Sequence, residues 1–207
     1  MRWDQIYLLI FSILFTLSFQ IKTIVQRKRT GIDPYCLSKS TSAQQRFLNR
    51  YANAVSAGWG IAIWGYALNQ PLMEAIGFPL FFNWPTLHVS GLFLSALFLV
   101  GLVLAQWQMG NNWRVGIDTE HRTELVTSGF FRHVRNPVFA MILGGLGAVF
   151  LALPGSLTMF LWLMSFSGLY LQVLTEEEFL LQQHQEKYEK YKKQTGRFFP
   201  RFPGFKE

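Results

Sequence analysis

Residues 86–106 have the sequence TLHVSGLFLSALFLVGLVLAQ, in which His88 is the only ionisable side chain. A helix that crosses roughly 30 Å of hydrocarbon needs about 20 predominantly apolar residues, and this stretch supplies them. A buried helix of a water-soluble protein ordinarily keeps a polar stripe, which this stretch lacks. The sequence therefore predicts a membrane-spanning helix here.

Four further apolar segments fall in the same length range on either side of this stretch. They cover residues 5–21, 52–68, 137–153 and 156–174. Pro154 and Gly155 leave room only for a tight turn, so the last two segments are expected to form a helical hairpin. The sequence thus predicts an all-α integral membrane bundle of five transmembrane helices, with residues 1–207 as a single membrane domain.

Composition supports a membrane protein and argues against other classes. Charged residues make up 15% of the chain, whereas soluble globular proteins average about 25%. The formal net charge of +7 is not accompanied by any recognised nucleic-acid module, so we expect no nucleic-acid partner. Cys36 is the only cysteine, which rules out a disulfide within the chain.

The positions of the basic residues predict an orientation. Of the 19 Lys and Arg residues, 18 lie within residues 22–50, 114–135 and 187–206, and the other is Arg2. Five spans place these three basic segments on one side of the membrane. The positive-inside rule then predicts a cytoplasmic C-terminus and an N-terminus outside, in the plasma or inner membrane if the source is bacterial.

The sequence changes character after Leu174. Residues 176–193 keep apolar residues at helical spacing among Gln, Glu and Lys, which is typical of an amphipathic helix leaving the membrane. The prolines within residues 197–205 prevent a helix there, so we expect an extended segment that folds back on the domain. Residues 175–207 are interpreted as a cytoplasmic tail.

Two chemically distinctive motifs lie at the predicted cytoplasmic end of the hairpin. An Arg-Asn-Pro sequence at residues 135–137 begins the fourth span, where the free N–H groups of a first helical turn can bind anionic groups. A Glu triplet at residues 176–178 follows the fifth span, where the helix dipole disfavours carboxylates by about 0.3–1 kcal/mol. From the residues alone, interfacial snorkelling by the arginines and a solvated start of the tail helix remain open alternatives.

Several common kinds of site are missing from the sequence. It contains no Gly-x-Gly-x-x-Gly dinucleotide loop and no His-Glu-x-x-His motif. Its histidines are scattered, without zinc-ligand spacing. We therefore predict no metal site.

The order of the motifs nevertheless resembles the isoprenylcysteine carboxyl methyltransferase and phospholipid methyltransferase superfamily. The resemblance extends over roughly residues 105–200. Its elements are LVTSGFF at 125–131, RHVRNPVF at 132–139, the apolar hairpin, Glu-Glu-x-x-Leu from 176, Tyr-x-x-Tyr from 188 and Arg-x-x-Pro from 197.

The resemblance implies a membrane methyltransferase that uses S-adenosyl-L-methionine and acts on a lipid-like or membrane-embedded acceptor. Carboxylate O-methylation is favoured over amine N-methylation, because a carboxylate is already ionised near pH 7. Arg135 and Glu177 are the implied catalytic residues. The implied cofactor-binding residues are Thr123, Leu125, Val126, Phe131, Asn136, Pro137, Phe139, Glu176 and Glu177.

Glu176 is the preferred cofactor carboxylate, because aligning it with the family's first Glu also matches the spacing to Leu180 and Tyr188. An alignment shifted by one residue, which uses Glu177 and Glu178, stays open. The tail is expected to complete the cofactor site. The expected partners are a lipophilic small-molecule or lipid substrate and the lipid bilayer, with no obligate protein partner.

Three positions depart from the family pattern. Asn136 and Phe139 stand where the commonest motif has His and Tyr. The carboxyl methyltransferases that act on prenylated cysteine carry a substrate-contacting Arg shortly before the Glu run, and by register this position is Gln172. The identity of the methyl acceptor is therefore left open.

Two other functions remain alternatives. The C-terminal half is similar to NADPH-dependent membrane reductases such as steroid 5α-reductase, but these typically carry Arg-His-Pro-Asn-Tyr, where this chain has Val138 and Phe139. A non-enzymatic membrane scaffold is the other alternative.

Overall fold

The computed structural model describes residues 1–37, 42–75, 84–119, 121 and 123–201 of the chain. The described residues form long helices and no named β-strand, and two isolated backbone bridges are the only β-type pairings among them. The predicted all-α class is therefore confirmed. The helices are α1 (Trp3–Thr30), α2 (Ala43–Ala75), α3 (Pro85–Gln108), α4 (Pro137–Ala152) and α5 (Ser156–Gln194).

Three of the helices, α1, α3 and α5, are long and apolar enough to cross a membrane. Helix α4 is apolar but has only 16 residues. Helix α2 is longer than the predicted segment 52–68, but it carries polar residues and a non-helical residue at Asn69. The predicted positions of the five helices are thus found, while membrane crossing by α2 and α4 stays a prediction.

Helices α3 and α4 form the most extensive helix pair. Glycines allow their backbones to approach closely: a Cβ atom on Gly91 would lie 2.5 Å from the backbone nitrogen of Ala152. Gly144 likewise packs directly against the ring of Phe98. The prediction that glycines of the fourth span serve helix packing is confirmed at Gly144.

Helix α1 attaches to the end of α3 through two buried polar side chains. Leu8 and Phe11 are buried on α1, and Lys22 and Gln26 continue inward-facing positions at helical spacing. Nζ of Lys22 donates to the carbonyl oxygen of Gly110 at 3.0 Å, and Nε2 of Gln26 donates to that of Asn111 at 2.5 Å. These contacts satisfy carbonyl groups in the turn that follows α3.

The turn at Pro154-Gly155 joins α4 and α5 as predicted. Helix α5 then continues past Leu174 into the predicted tail helix, which is kinked at Gln185. The one non-helical residue inside α5 is Gln185, with φ of 45°. The amphipathic part therefore begins within one helix rather than as a separate element.

The segment after α5 returns to the beginning of α4. The backbone N–H of Arg135 donates to the oxygen of Gly196 at 2.9 Å, and that of Asn136 donates to the oxygen of Arg197 at 3.2 Å. A Cβ atom on Gly196 would collide with the carbonyl oxygen of Phe199. The predicted non-helical, folded-back segment is confirmed up to Arg201, and residues 202–205 lie outside the described residues.

Candidate functional site

A buried carboxylate, Glu177, is surrounded by three donors at the cytoplasmic end predicted from the sequence. Its Oε1 accepts from Nε of Arg135 at 2.6 Å and from Nδ2 of Asn136 at 2.8 Å. Its Oε2 accepts from Nη2 of Arg197 at 3.1 Å. We call these four residues the Glu177 cluster. The hairpin thus brings the Arg-Asn-Pro motif and the Glu triplet together, as predicted.

Arg135 is held from two directions. Its side chain is 1% exposed, and besides Glu177 it donates from Nη1 to the carbonyl oxygen of Thr195 at 2.7 Å. A buried charge of this kind is stable only when it is paired and fully hydrogen-bonded. Arg135 therefore joins α4, α5 and the returning segment in one network.

The cluster also fixes the charge of Glu177. Burial alone would raise the pKa of this carboxyl, but hydrogen bonds from Arg197 and Arg135 outweigh burial, so the pKa is below its ordinary value. Glu177 is consequently an anion whose acceptor positions are used by the protein itself. This geometry favours a positioning role for Glu177, and the catalytic role predicted for Glu177 and Arg135 stays a prediction.

Glu176, the preceding residue on α5, has a different environment. It is half-buried, and its Oε1 accepts a hydrogen bond from Nε2 of Gln172 at 2.8 Å. Burial of part of the side chain raises the pKa of Glu176 to about 7, and the hydrogen bond from Gln172 offsets only part of this. Within the described part of the chain, no Lys or Arg forms an ion pair with Glu176.

The predicted cofactor loop lies on the side of α3 and α4. Thr123, Leu125 and Val126 are half-buried. Phe131 is buried and packs in an apolar cluster with Leu102, Ala105, Trp113 and Val138, against which Val126 also packs. The loop is attached to the end of α3, because the backbone N–H of Glu124 donates to Oδ1 of Asn112 at 2.8 Å.

The other predicted residues lie where α4 begins. Asn136 precedes α4, Pro137 is its first residue and is fully buried, and Phe139 is half-buried. Asn136 is engaged by Glu177, as described above. The predicted site residues of the first turn of α4 and of α5 are thus brought together, and Phe131 is joined to them through Tyr191.

Tyr191 makes this connection through its phenol. Its hydroxyl donates to the carbonyl oxygen of Phe131 at 2.6 Å. Burial raises the pKa of both Tyr191 and its neighbour Tyr188 above the ordinary value for a phenol. Both side chains are therefore neutral at physiological pH and unsuited to accept a proton.

Arg197 is a site residue that sequence reasoning did not select. Besides binding Glu177, it donates from Nη1 to the hydroxyl of Tyr170 at 3.1 Å and lies 5.4 Å from the centre of that ring. Its place at the head of the Arg-x-x-Pro element was the available signal. The partner of that arginine, 20 residues earlier on α5, could not be read from the element itself.

Comparison with known proteins places these residues in a family. No curated protein sequence matches the chain. The family model of the isoprenylcysteine carboxyl methyltransferase (ICMT) family matches residues 76–183. This range covers just over half of the chain and contains the beginning of α4, Glu176 and Glu177. The chain therefore belongs to the isoprenylcysteine carboxyl methyltransferase family and is a membrane methyltransferase of that family.

Proposed function

We propose that the protein transfers a methyl group from S-adenosyl-L-methionine to a carboxylate on a lipid-like or membrane-embedded acceptor. The observation that carries this proposal is the contrast between two adjacent carboxylates. Glu177 is neutralised by Arg135 and Arg197, whereas Glu176 is desolvated and receives only an amide hydrogen bond. Of these two carboxylates, Glu176 is the one that has no cation partner among the described residues.

Glu176, a carboxylate without a cation, fits the positive charge of S-adenosylmethionine. When bound, S-adenosylmethionine supplies a methyl group activated by a positively charged sulfur, and its amino-acid part carries an ammonium group. A desolvated carboxylate gains most from such a cation, because its charged form is otherwise disfavoured. We assign Glu176 to binding the cofactor's positive charge, in agreement with the register anchored on Leu180.

The remaining residues position this carboxylate. The Glu177 cluster fixes the beginning of α4 against α5 and the returning segment, so Asn136 and Pro137 are held in one orientation. Tyr191 fixes the carbonyl group of Phe131. Such rigid positioning can contribute about 7–11 kcal/mol to a displacement reaction, so we propose that Arg135 and Glu177 act by positioning.

The lack of a suitable base among these residues favours a carboxylate acceptor over an amine. An amine must lose a proton before it accepts a methyl group, and Tyr188, Tyr191 and Glu177 are poor bases for the reasons given above. Glu176 would be a better base, but a bound cation would lower its pKa and occupy it. A carboxylate needs no base.

The membrane arrangement completes the proposal. Five spans, with the N-terminus outside and the C-terminus in the cytoplasm, would place the Glu177 cluster and Glu176 at the cytoplasmic face. The acceptor would then reach the site from the bilayer, between helices, while S-adenosylmethionine would come from the cytoplasm. Residues 175–201 would act as the cytoplasmic part that completes the cofactor site.

The direct test is the Glu176→Gln variant of the full chain. We expect its affinity for S-adenosylmethionine to fall by about tenfold or more, since a charge-assisted contact is worth roughly 1.5–3 kcal/mol. Isothermal titration of the purified protein measures this, with Glu178→Gln as the matched control because Glu178 is exposed on the same helix.

Two results would contradict the proposal. Unchanged affinity in Glu176→Gln would remove Glu176 from the cofactor site. Binding of NADPH in place of S-adenosylmethionine by the unmodified protein would reject the methyl-transfer function altogether.

A further inference from the structure

Two positively charged side chains of α1 face one indole ring at the end of α3. Nζ of Lys22 lies 5.0 Å from the ring centre of Trp107, and the guanidinium carbon of Arg29 lies 6.0 Å from it. Lys22, Gln26 and Arg29 follow one another at helical spacing and therefore share one face of α1. Lys22 and Gln26 also hold the turn that follows α3, so this face of α1 is fixed against the end of α3.

The charges of Lys22 and Arg29 have no counter-ion within the described part of the chain. Neither forms an ion pair with a carboxylate there: Lys22 donates to the backbone oxygen of Gly110, and the contact of Arg29 is with the Trp107 ring. Lys22 is only 2% exposed, and a buried charge is costly unless it is paired. Two like charges near one ring also repel each other. An anion bound at this place would reduce both costs.

The surrounding sequence is basic. Residues 5–32 contain no Asp or Glu, whereas Arg27, Lys28 and Arg29 lie in the last turn of α1 and are all exposed. Together with Lys22 they place four positive charges near the end of one apolar helix. Groups of about four to eight Lys and Arg residues directly beyond a membrane span are typical of sites for anionic lipid headgroups.

The same indole lies at the end of an apolar surface on α3. Val100, Leu104 and Trp107 share one face of the helix and are 59%, 48% and 42% exposed. Because α3 is long and apolar enough to cross a membrane, we expect this face to contact lipid chains. Tryptophan is typical of the interface between hydrocarbon and water. The two cations thus lie where acyl chains are expected to end and headgroups to begin.

We propose that Arg29 and Trp107 form a docking site for an anionic phospholipid, whose phosphate group binds Arg29 and whose acyl chain lies along the exposed face of α3. Arg29 is exposed, so its guanidinium group can donate directly to phosphate oxygens, which suit its planar geometry. Lys22 is buried and contributes its positive charge at longer range. This inference goes beyond the proposed function and does not depend on it.

An anionic lipid fits this surface better than other acidic partners do. A nucleic acid or an acidic peptide would gain from the basic residues but not from the apolar face of α3. A soluble phosphate ion would likewise use only the charge. The combination of positive charge and exposed apolar surface therefore favours an amphiphile that is already part of the bilayer.

The test uses the full chain in phosphatidylcholine vesicles that contain a small fraction of one lipid with brominated acyl chains. Bromine quenches tryptophan fluorescence at short range, and the Trp107→Phe variant identifies the share of the signal that belongs to Trp107. The brominated lipid is either phosphatidylglycerol or phosphatidylcholine. We expect phosphatidylglycerol to quench Trp107 at an about fivefold lower fraction than phosphatidylcholine, since one Lys or Arg near the surface contributes roughly this preference for an anionic lipid.

Variants separate a specific site from overall charge. Arg29→Gln is expected to remove most of the preference for phosphatidylglycerol, whereas Arg29→Lys, which keeps the charge, should retain part of it. Arg27→Gln is the matched control, because Arg27 is exposed in the same last turn of α1 but makes no ring contact with Trp107 among the described residues. Unchanged melting temperatures would verify that the three variants are folded.

Three results would overturn the inference. Equal quenching by the two brominated lipids would show that this surface does not select an anionic headgroup. Equal losses of preference in Arg27→Gln and Arg29→Gln would reduce the effect to overall charge. A preference that inorganic phosphate removes, while chloride at the same ionic strength does not, would assign the site to a soluble anion. None of these results bears on S-adenosylmethionine binding, so the proposed function is tested separately.

Discussion

Two buried carboxylates lie at opposite ends of α4, and their surroundings differ. At one end, Asp4 accepts from the hydroxyl of Tyr66 at 2.9 Å and from Arg2 at 2.9 Å, and Nε2 of His88 lies 3.3 Å away. We call these residues the Asp4 cluster. Nδ1 of His88 lies 2.7 Å from the oxygen of Ala152, the last residue of α4. At the other end stands the Glu177 cluster.

The difference lies in the cations and in the neighbouring residues. Arg2 is 56% exposed, so the Asp4 cluster keeps its cation in water, whereas Arg135 is 1% exposed. The Asp4 cluster joins α1, α2, α3 and α4, and its contacts among the described residues include no second carboxylate. The Glu177 cluster stands beside Glu176, a carboxylate without a cation. Among the described residues, the two ends of α4 thus differ in whether a neighbouring carboxylate is left without a cation.

Removal of the charge of Glu177 should have the largest effect. Glu177→Gln leaves Arg135 buried without its counter-charge, which typically costs about 3–5 kcal/mol. We expect a lower melting temperature, faster proteolysis after Gln194 and loss of S-adenosylmethionine binding. Because the pKa of Glu177 is lowered in the folded protein, this stabilisation is present above the ordinary pKa of a glutamate and is lost as the pH falls below it.

Glu178→Gln is the control for this prediction, since Glu178 is exposed on the same helix. Equal melting temperatures for the two variants would show that the Glu177 cluster does not hold the returning segment.

Removal of the charge of Asp4, at the other end of α4, should have a smaller effect on stability and should leave cofactor binding unchanged. Asp4→Asn keeps the shape of the side chain but weakens the contacts with Arg2, Tyr66 and His88. We expect a loss of about 1–3 kcal/mol, measured by thermal denaturation in detergent, with unchanged affinity for S-adenosylmethionine. A large loss of affinity would mean that the two ends are coupled through α4.

The smallest expected effect is a dependence of binding on pH. Since the pKa of Glu176 is about 7, the carboxylate becomes ionised as the pH rises, and affinity for S-adenosylmethionine should increase by about tenfold between roughly pH 6 and pH 8. The folded state should lose stability over the range between the ordinary and the raised pKa, because ionisation is disfavoured there.

The Glu176→Gln variant removes both dependences if Glu176 is responsible. Its affinity should stay flat across this range, and its melting temperature at about pH 8 should exceed that of the unmodified protein by a few degrees. A pH dependence that persists in the variant would assign the titration to another group.

The sequence predicted the helices and the meeting of two motifs because both follow from local rules. Apolar length defines a helix such as α3, and a tight turn at Pro154-Gly155 returns α5 to the beginning of α4. The start of α2 at Ala43 was not predicted, since its first turns are polar and extend beyond the apolar segment.

Local rules could not predict which side chains from different helices pair with each other. Asp4 was not selected at all, because its partners Tyr66 and His88 belong to other helices. Similarly, the register placed Glu176 and Glu177 together, but only the helix geometry assigns one to the arginines and leaves the other unpaired. Trp107 directly follows an apolar segment, and its contacts with Lys22 and Arg29 of α1 are likewise tertiary.

The return of residues 195–201 to the beginning of α4 has a consequence for biosynthesis. The ribosome synthesises α1 to α5 before this segment, so these helices can pack while Arg135 and Asn136 still lack the backbone partners Gly196 and Arg197. The Glu177 cluster can therefore be completed only after residues 195–201 have been synthesised. We expect a nascent chain halted near Gln194 to lack the contacts that Arg135 makes with Thr195 and Gly196.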